Sequence, residues 1–123
     1  MRDHRQFVVA TLFEISPDAQ FTVGDDYESL RWHNQDIEKP TKEEFEARLE
    51  LIKKEEPMRL LRLERNRRLA ETDWIIVKGL EQSVDLTEWK TYRQALRDLP
   101  ATQEPQLDDV GNLTNVTWPE VPE

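Results

Sequence analysis

Apolar side chains recur at spacings of three and four residues in separate stretches of this chain, and this periodicity constrains the fold more than any other feature. In the last of these stretches the apolar positions are Trp89, Tyr92, Leu96 and Leu99. Such spacing places side chains on one face of an α-helix. Because only 37% of the 123 residues are hydrophobic and 35% are charged, a wide buried sheet could not be filled. Helices with one apolar stripe are favoured.

The first part of the chain predicts a helix followed by a hairpin. Apolar residues follow helical spacing from His4 to Ile15. The turn-forming residues Gly24-Asp25-Asp26-Tyr27 then separate two short runs, 20–23 and 29–32, that are rich in aromatic and β-branched residues. This order predicts two antiparallel strands. Their alternating side chains can cover the first helix, and the residues expected to do so are Phe21, Val23, Leu30 and Trp32.

A capping signal marks the start of the next helix. Thr41 is followed three residues later by Glu44, and this capping box predicts that a helix begins at Thr41. Pro57 has no amide donor, so we expect a break or a kink near Glu55-Glu56. The arginine- and leucine-rich stretch from Met58 to Ala70 then predicts a basic helix.

The following segment predicts a connection and a further helix. Thr72-Asp73-Trp74 is expected to end the basic helix, and Ile75-Ile76-Val77 to form an extended segment or a tight loop. Asp85-Leu86-Thr87-Glu88 is a second capping signal. The helix that it starts should run to about Asp98 and be terminated by Pro100.

The last residues predict a flexible or extended acidic tail. Residues 101–123 contain five acidic and no basic residues, a net charge of −5. Trp118 lies in this polar stretch and needs a surface to cover it, which indicates a docking anchor. The other three tryptophans, Trp32, Trp74 and Trp89, are expected in packed positions.

The predicted fold class is therefore α+β and mainly helical. It has an N-terminal helix plus a small β-hairpin, then two or three amphipathic helices and an extended acidic tail. The expected organisation is a helix, hairpin and helix module over residues 1–56, a pair of helices over 57–100, and the tail over 101–123.

The residues that most enzymes and cofactor sites require are missing or scattered. The chain has no cysteine, three dispersed glycines, and the histidines His4 and His33, which are not at helical ligand spacing. Its many carboxylate pairs fit solvated turns and caps. We expect no enzymatic activity, no cofactor and no metal. No apolar stretch approaches the roughly 18 residues of a membrane span, and the N-terminal apolar stretch is too short for a secretory signal, so a soluble intracellular protein without a membrane partner is expected.

The arginine run has three possible roles. Residues 57–71 contain five arginines and two glutamates, a net charge of +3, whereas the whole chain carries −9. An acidic chain repels polyanions, so nucleic acid is disfavoured. Contact with another protein ranks first and a solvated face second. Leu60 and Leu63 lie off the ridge formed by Met58, Leu61, Arg65 and Leu69, and this width suggests contact on two sides, with a partner chain or in a homo-oligomer.

Two motifs in the C-terminal half resemble a known family. The stretch 65–74, RNRRLAETDW, is followed by WKTYRQALRDLP at 89–100 and by Trp118-Pro119. Together and in this order they resemble the tail assembly chaperone proteins of bacteriophages, some of which are called tail fibre assembly proteins. In one departure, Arg68 stands where the family pattern usually has another leucine, which makes that helical face more polar.

The N-terminal residues resemble a second phage family, typified by the XkdW protein. The resemblance rests on Ser16-Pro17-Asp18-Ala19, Asp26-Tyr27, Trp32 and the stretch 40–46. Together the resemblances imply a viral assembly protein that binds a phage tail fibre or another structural tail protein in the host cytoplasm, with a minor virion component of the tail or baseplate as the alternative. The predicted partner-binding residues are Arg59, Leu60, Arg62, Leu63, Arg67 and Trp118.

Overall fold

A computed structural model describes residues 3–123 of the chain. The mainly helical α+β prediction is confirmed, because three α-helices are accompanied by two small antiparallel hairpins in the described part of the chain. The chain divides into two compact units, Met1–Glu56 and Pro57–Glu123. The helix α2 contributes its residues 42–56 to the first unit and 57–81 to the second.

The first unit begins with α1, His4–Ile15, as predicted. Asp3 caps it: its carboxylate accepts a hydrogen bond from the Gln6 amide at 2.8 Å, and the Gln6 side chain accepts one from the Asp3 amide at 2.8 Å. This reciprocal box satisfies two amides that a helix end leaves without partners. The capping box at Asp3 was not predicted from the sequence.

The predicted hairpin follows α1 and is confirmed. Strands β1 (Phe21–Thr22) and β2 (Arg31–Trp32) are antiparallel, with Phe21 opposite Trp32. The rings of this pair are stacked with centroids 6.2 Å apart. A short 3-10 helix, Tyr27–Ser29, lies between the strands. The hairpin and helices share one core, made of Val8, Leu12, Val23, Leu30 and Phe45.

The helix α2 spans Lys42–Glu81 and begins where the capping signal predicted. The Thr41 hydroxyl accepts a hydrogen bond from the Glu44 amide at 3.1 Å. The predicted break at Pro57 is wrong, because the helix continues through it. A proline removes one hydrogen bond and costs about 3 kcal/mol, which the surrounding strong helix formers offset. The alternative expectation, a kink in a continuous helix near Glu55-Glu56, stays a prediction.

The predicted helix end at Thr72-Asp73-Trp74 is also wrong. The helix continues through Ile75, Ile76 and Val77, because the weaker helix propensity of β-branched residues costs under about 1 kcal/mol each and the bonds of Thr72 and Asp73 to Arg93 hold the preceding turn helical. The helix ends two residues before Ser83, which has a left-handed φ of 56°. The amides of Ser83 and Val84 donate to the carbonyls of Leu80 and Gly79 at 3.3 and 2.9 Å, a Schellman end.

The last helix, α3, spans Thr87–Thr102 and therefore passes Pro100, which was expected to end it. Pro100 has no amide to donate to the Leu96 carbonyl, but it lies in the last turn and only two residues of the helix follow it, so one lost hydrogen bond does not end α3 before it. At the other end, the Asp85 carboxylate accepts hydrogen bonds from the Thr87 amide and hydroxyl at 2.9 and 2.6 Å. Asp85, the first residue of the predicted capping signal, therefore lies one residue before the N-cap, Leu86.

The predicted tail contains a second hairpin that the sequence did not reveal. Strands β3 (Gln106–Leu107) and β4 (Leu113–Thr114) are antiparallel. The Asp108 carboxylate accepts hydrogen bonds from the amides of Val110 and Asn112 at 3.0 and 2.8 Å, and Gly111 supplies a positive φ of 83°. This turn chemistry holds the two short strands together.

Candidate partner-binding surface

The second unit is organised around buried side chains on α2 and α3. Leu61 and Leu96 are fully buried, and Tyr92 and Leu99 are nearly so. Trp89 meets Tyr92 edge to face, with ring centroids 6.0 Å apart. Burying each large apolar side chain contributes about 1.5–3 kcal/mol. These residues hold the two helices in place and so determine which side of α2 remains exposed.

Arg93 links α3 to α2 through the residues of the TDW motif. Its guanidinium donates hydrogen bonds to the Leu69 carbonyl at 2.8 Å and to the Thr72 hydroxyl, and it pairs with the Asp73 carboxylate at 2.8 Å. The Arg93 side chain is only 14% exposed, and the Thr72 hydroxyl also donates to the Leu69 carbonyl at 2.9 Å. The two motifs that carry the family resemblance therefore bind each other.

Gly79 allows the end of α2 to approach the following loop. A Cβ at this position would lie 2.4 Å from Cδ2 and 3.0 Å from Cγ of the buried Leu86 side chain. Only a glycine leaves room for that contact. Close approach at this point brings the last turns of α2 beside the start of α3.

The opposite side of α2 is exposed within the second unit. Leu63, Trp74 and Val77 are 54%, 61% and 57% exposed. Since a helix turns by about 100° per residue, they lie roughly opposite Arg65 and Thr72, which bond to α3. The predicted packed position of Trp74 is wrong, because the uninterrupted helix turns this residue outward.

Charged side chains along α2 form a local ion-pair network. Arg67 donates to Glu64 at 2.9 Å and also binds Glu71, while Arg68 donates to Glu64 at 3.1 Å. The hydrogen bonds from Arg67 lower the pKa of Glu64 to about 2, and the Glu64 carboxylate raises the pKa of Arg67. The network fixes the direction of the guanidinium groups at low net charge.

Trp118 is covered by a residue of its own chain. The Arg68 guanidinium lies over the indole ring at 4.1 Å from its centroid, a cation–π contact. The preceding tail is tied down as well, since the Thr117 amide donates to Gln103 at 2.9 Å and Asn115 donates to the Glu104 carbonyl at 2.8 Å. Arg68 therefore covers part of the apolar surface of Trp118 within the second unit.

The six predicted partner-binding residues do not form one continuous face. Arg62, Leu63 and Arg67 are exposed, whereas Arg59, Leu60 and Trp118 are half-buried. Arg68, which covers Trp118, points about 140° away from Leu63 around the helix axis. The α2 residues therefore form the main candidate surface, and Trp118 lies to another side of it.

A cleft that the sequence did not reveal lies beside the end of α2. It has a volume of about 470 Å³, and its large apolar lining residues are Trp74, Ile75, Val84, Leu86 and Trp89. These residues come from a helix, a loop and a second helix, so helical periodicity in the sequence could not reveal that they line one cleft. The exposed Trp74 ring extends the apolar surface of α2 to the rim of this cleft.

Two further features of residues 3–123 bear on function. None of the described helices has the length and apolar composition to cross a membrane. The same part of the chain holds no group of three or more histidine, aspartate or glutamate residues arranged to bind a metal ion.

A sequence model of a known protein family matches nearly all of the second unit. The sequence model described as phage tail assembly chaperone protein matches residues 58–123, more than half of the chain. The chain belongs to the phage tail assembly chaperone family. This confirms the resemblance drawn from the TDW and YRQALRD motifs, and it gives the protein a role in phage tail assembly.

The match also locates the chaperone part of this tail assembly protein. It begins one residue after Pro57 and includes α3, the second hairpin and Trp118. No curated protein and no solved structure matches the chain. The geometry of the second unit therefore provides the basis for a more detailed functional proposal.

Proposed function

We propose that this phage tail assembly chaperone binds a structural tail protein while that protein folds or assembles, and that a tail fibre protein is the first candidate. The observation that carries the proposal is the exposed side of α2, which carries the exposed apolar residues Leu63, Trp74 and Val77 together with the exposed arginines Arg62 and Arg67. An apolar surface of this kind, rimmed by charges, is characteristic of protein interaction sites.

The proposed mechanism is temporary cover of apolar surface on the tail protein. Leu60 and Leu63 supply apolar contact, and the exposed arginines Arg62 and Arg67 set the register by pairing with acidic groups. Since Arg67 already binds Glu64 and Glu71, a carboxylate of the tail protein would have to replace one of them. Such exchange favours a complex that can dissociate once assembly is complete.

Trp118 is proposed as a second contact. Its ring is only partly covered by Arg68, and the surrounding tail carries five acidic groups. A basic or aromatic residue of the tail protein could extend this stack. We further propose that the first unit is an XkdW-like module, that the chain is not an enzyme, and that it acts in the host cytoplasm during assembly.

Co-expression with the tail fibre protein of the same phage tests the proposal. We expect more soluble, trimeric fibre when the chaperone is present. Arg62→Glu should reduce that yield, because it reverses the charge of an exposed residue on the proposed surface. Arg97→Glu is the matched control, since Arg97 is an exposed arginine on α3.

Three results would contradict the proposal or parts of it. Equal amounts of soluble, trimeric fibre with and without the chain would exclude a chaperone role for this fibre. Equal loss from Arg62→Glu and Arg97→Glu would exclude the proposed surface. Presence of the chain in purified phage particles at fixed stoichiometry would replace temporary binding by a minor structural role in the tail or baseplate.

A further inference from the structure

The cleft beside the end of α2 is lined by two indole rings. One comes from Trp74 on α2 and the other from Trp89 on α3. The Trp74 side chain is 61% exposed, whereas Trp89 is half-buried and meets Tyr92 edge to face. The cleft volume of about 470 Å³ falls within the range of about 300–1,000 Å³ that is usual for ligand sites. The cleft can therefore take in a whole side chain of a partner.

Charged groups at the cleft are mainly negative. Among the described residues that line it, three bear a carboxylate and one bears an ammonium: Asp85, Glu88 and Glu123, and Lys78. The Asp85 carboxylate already accepts two hydrogen bonds from Thr87. Within the described part of the chain, the carboxylates of Glu88 and Glu123 have no hydrogen-bond or ion-pair partner. An occupant that brings a positive charge would therefore pair with groups that are still available.

Other kinds of occupant fit the cleft less well. An apolar side chain would take the carboxylates of Glu88 and Glu123 out of water without giving them a partner, which costs free energy. An acidic side chain would be repelled by them. A cation suits both parts of the cleft, because it pairs with carboxylates and is attracted to the face of an indole ring.

The second unit already contains cations that lie over indole rings. The Arg68 guanidinium lies 4.1 Å from the ring centroid of Trp118, and the Lys78 ammonium lies 5.8 Å from that of Trp74. Cation–π attraction acts within about 6 Å of the centroid, so Lys78 is close to its limit. A planar guanidinium stacks on an indole and can donate two parallel hydrogen bonds to a carboxylate, which an ammonium cannot do. Arginine is therefore the cation that best fits this cleft.

We infer that the cleft binds an arginine side chain of a partner protein, with the guanidinium paired to Glu88 or Glu123 and stacked on the indole rings of Trp74 and Trp89. The Lys78 ammonium would leave the Trp74 ring as the guanidinium enters, because like charges repel. The arginine site does not depend on the proposed function. That the arginine belongs to a structural tail protein rests on the proposed function.

Titration of the full-length chain with the peptide acetyl-Gly-Leu-Arg-Leu-Gly-amide tests the site without any tail protein. The indole N–H signals in a ¹H–¹⁵N spectrum, assigned with single Trp→Phe variants, report where the peptide binds. We expect the signals of Trp74 and Trp89 to shift with one common Kd, and that of Trp32 to stay. Peptides with glutamine or glutamate in place of the arginine should bind about fivefold more weakly or worse, because the ion pair is lost. High salt should reduce this difference.

Two neutral substitutions with opposite expected effects test the role of charge. Glu88→Gln removes a carboxylate and should raise the Kd of the arginine peptide about two- to fivefold, whereas Lys78→Gln removes the competing ammonium and should lower it by a similar factor. Damage to the fold could not produce changes in opposite directions. Glu123→Gln should act like Glu88→Gln, and it lies outside α3. Asp109→Asn is the matched control, because it removes an exposed carboxylate in the turn of the second hairpin.

Several results would overturn the inference. Unchanged Trp74 and Trp89 signals at millimolar arginine peptide would exclude the site, even if the Trp118 signal shifts. Equal binding of the arginine and glutamine peptides would exclude the ion pair, and an effect of Asp109→Asn as large as that of Glu88→Gln would leave only the net charge of the chain. Shifts of the Trp74 and Trp89 signals when the chain alone is diluted would make the occupant a second copy. Specific peptide binding without any effect of the chain on the fibre would keep the arginine site and contradict only the proposed function.

Discussion

Replacement of Arg93 by methionine tests whether the TDW and YRQALRD motifs hold the second unit together. The side chain is 14% exposed and makes three polar contacts, to the Leu69 carbonyl, the Thr72 hydroxyl and the Asp73 carboxylate. Methionine keeps much of the length of the side chain but removes every donor.

The expected loss in the free energy of unfolding follows from the exposure of each partner. Hydrogen bonds to a charged group contribute about 1.5–3 kcal/mol each when they are buried, and those to Leu69 and Thr72 are largely buried. The Asp73 carboxylate is 63% exposed, so its ion pair adds at most about 1 kcal/mol. Since the three contacts share one group and are not additive, we expect Arg93→Met to cost about 2–4 kcal/mol.

Three substitutions with different expected losses test whether the buried contacts of Arg93 stabilise the second unit. Urea unfolding followed by circular dichroism should rank the losses as Arg93→Met, then Thr72→Val, then Asp73→Asn, with the last below about 1 kcal/mol. Arg97→Met is the control, because it makes the same change at an exposed position of α3 and should cost under about 0.5 kcal/mol. Equal losses from Asp73→Asn and Arg93→Met, or from Arg97→Met and Arg93→Met, would refute the proposed role of the buried contacts.

Three further changes have expected outcomes in the second unit. Ser83→Gly should stabilise by about 1 kcal/mol in thermal unfolding, because Ser83 has a left-handed φ of 56° that glycine adopts without strain; an unchanged melting temperature would contradict this. Gly79→Ala should destabilise by about 1 kcal/mol or more despite its better helix propensity, since the added Cβ would lie 2.4 Å from Leu86 Cδ2. A smaller loss is expected when Leu86→Ala is already present, and equal losses in both backgrounds would exclude the steric cause. Glu64→Gln should cost below about 1 kcal/mol at pH 7. The pKa of Glu64 is lowered from 4.5 to about 2, so the stability from its ionised form is present above pH 4.5 and is lost as pH falls through 2. The difference between wild type and Glu64→Gln should therefore shrink over this pH range, and a difference that stays constant down to pH 2 would count against the ion pair.

Local patterns predicted the elements whose signals are contained in neighbouring residues. The bounds of α1, the first hairpin and the start of α2 after Thr41 are all confirmed. Each depends on a periodicity or a capping residue within one turn of the chain. Such signals do not require knowledge of distant contacts.

The errors concern residues whose conformation depends on the rest of the molecule. Pro57 and Thr72 were expected to interrupt α2, but neighbouring helix formers and the bonds from Arg93, 21 residues after Thr72, favour a continuous helix. The second hairpin joins strands of two residues each, too short for a visible alternation. The cleft beside Trp74 was missed for a related reason, since its lining comes from separate elements.

The division of α2 into two sides has a consequence for engineering this family. The residues that identify the family, Thr72, Asp73 and Arg93, are occupied with one another, whereas Leu63 and Val77 face outward. Outward positions of a related chain could therefore be grafted onto this helix without disturbing its attachment to α3. Under the proposed function, a chimera made in this way would exchange binding preference between chaperones while it retains the parent fold, and chains that share the motif would not need to bind the same tail protein.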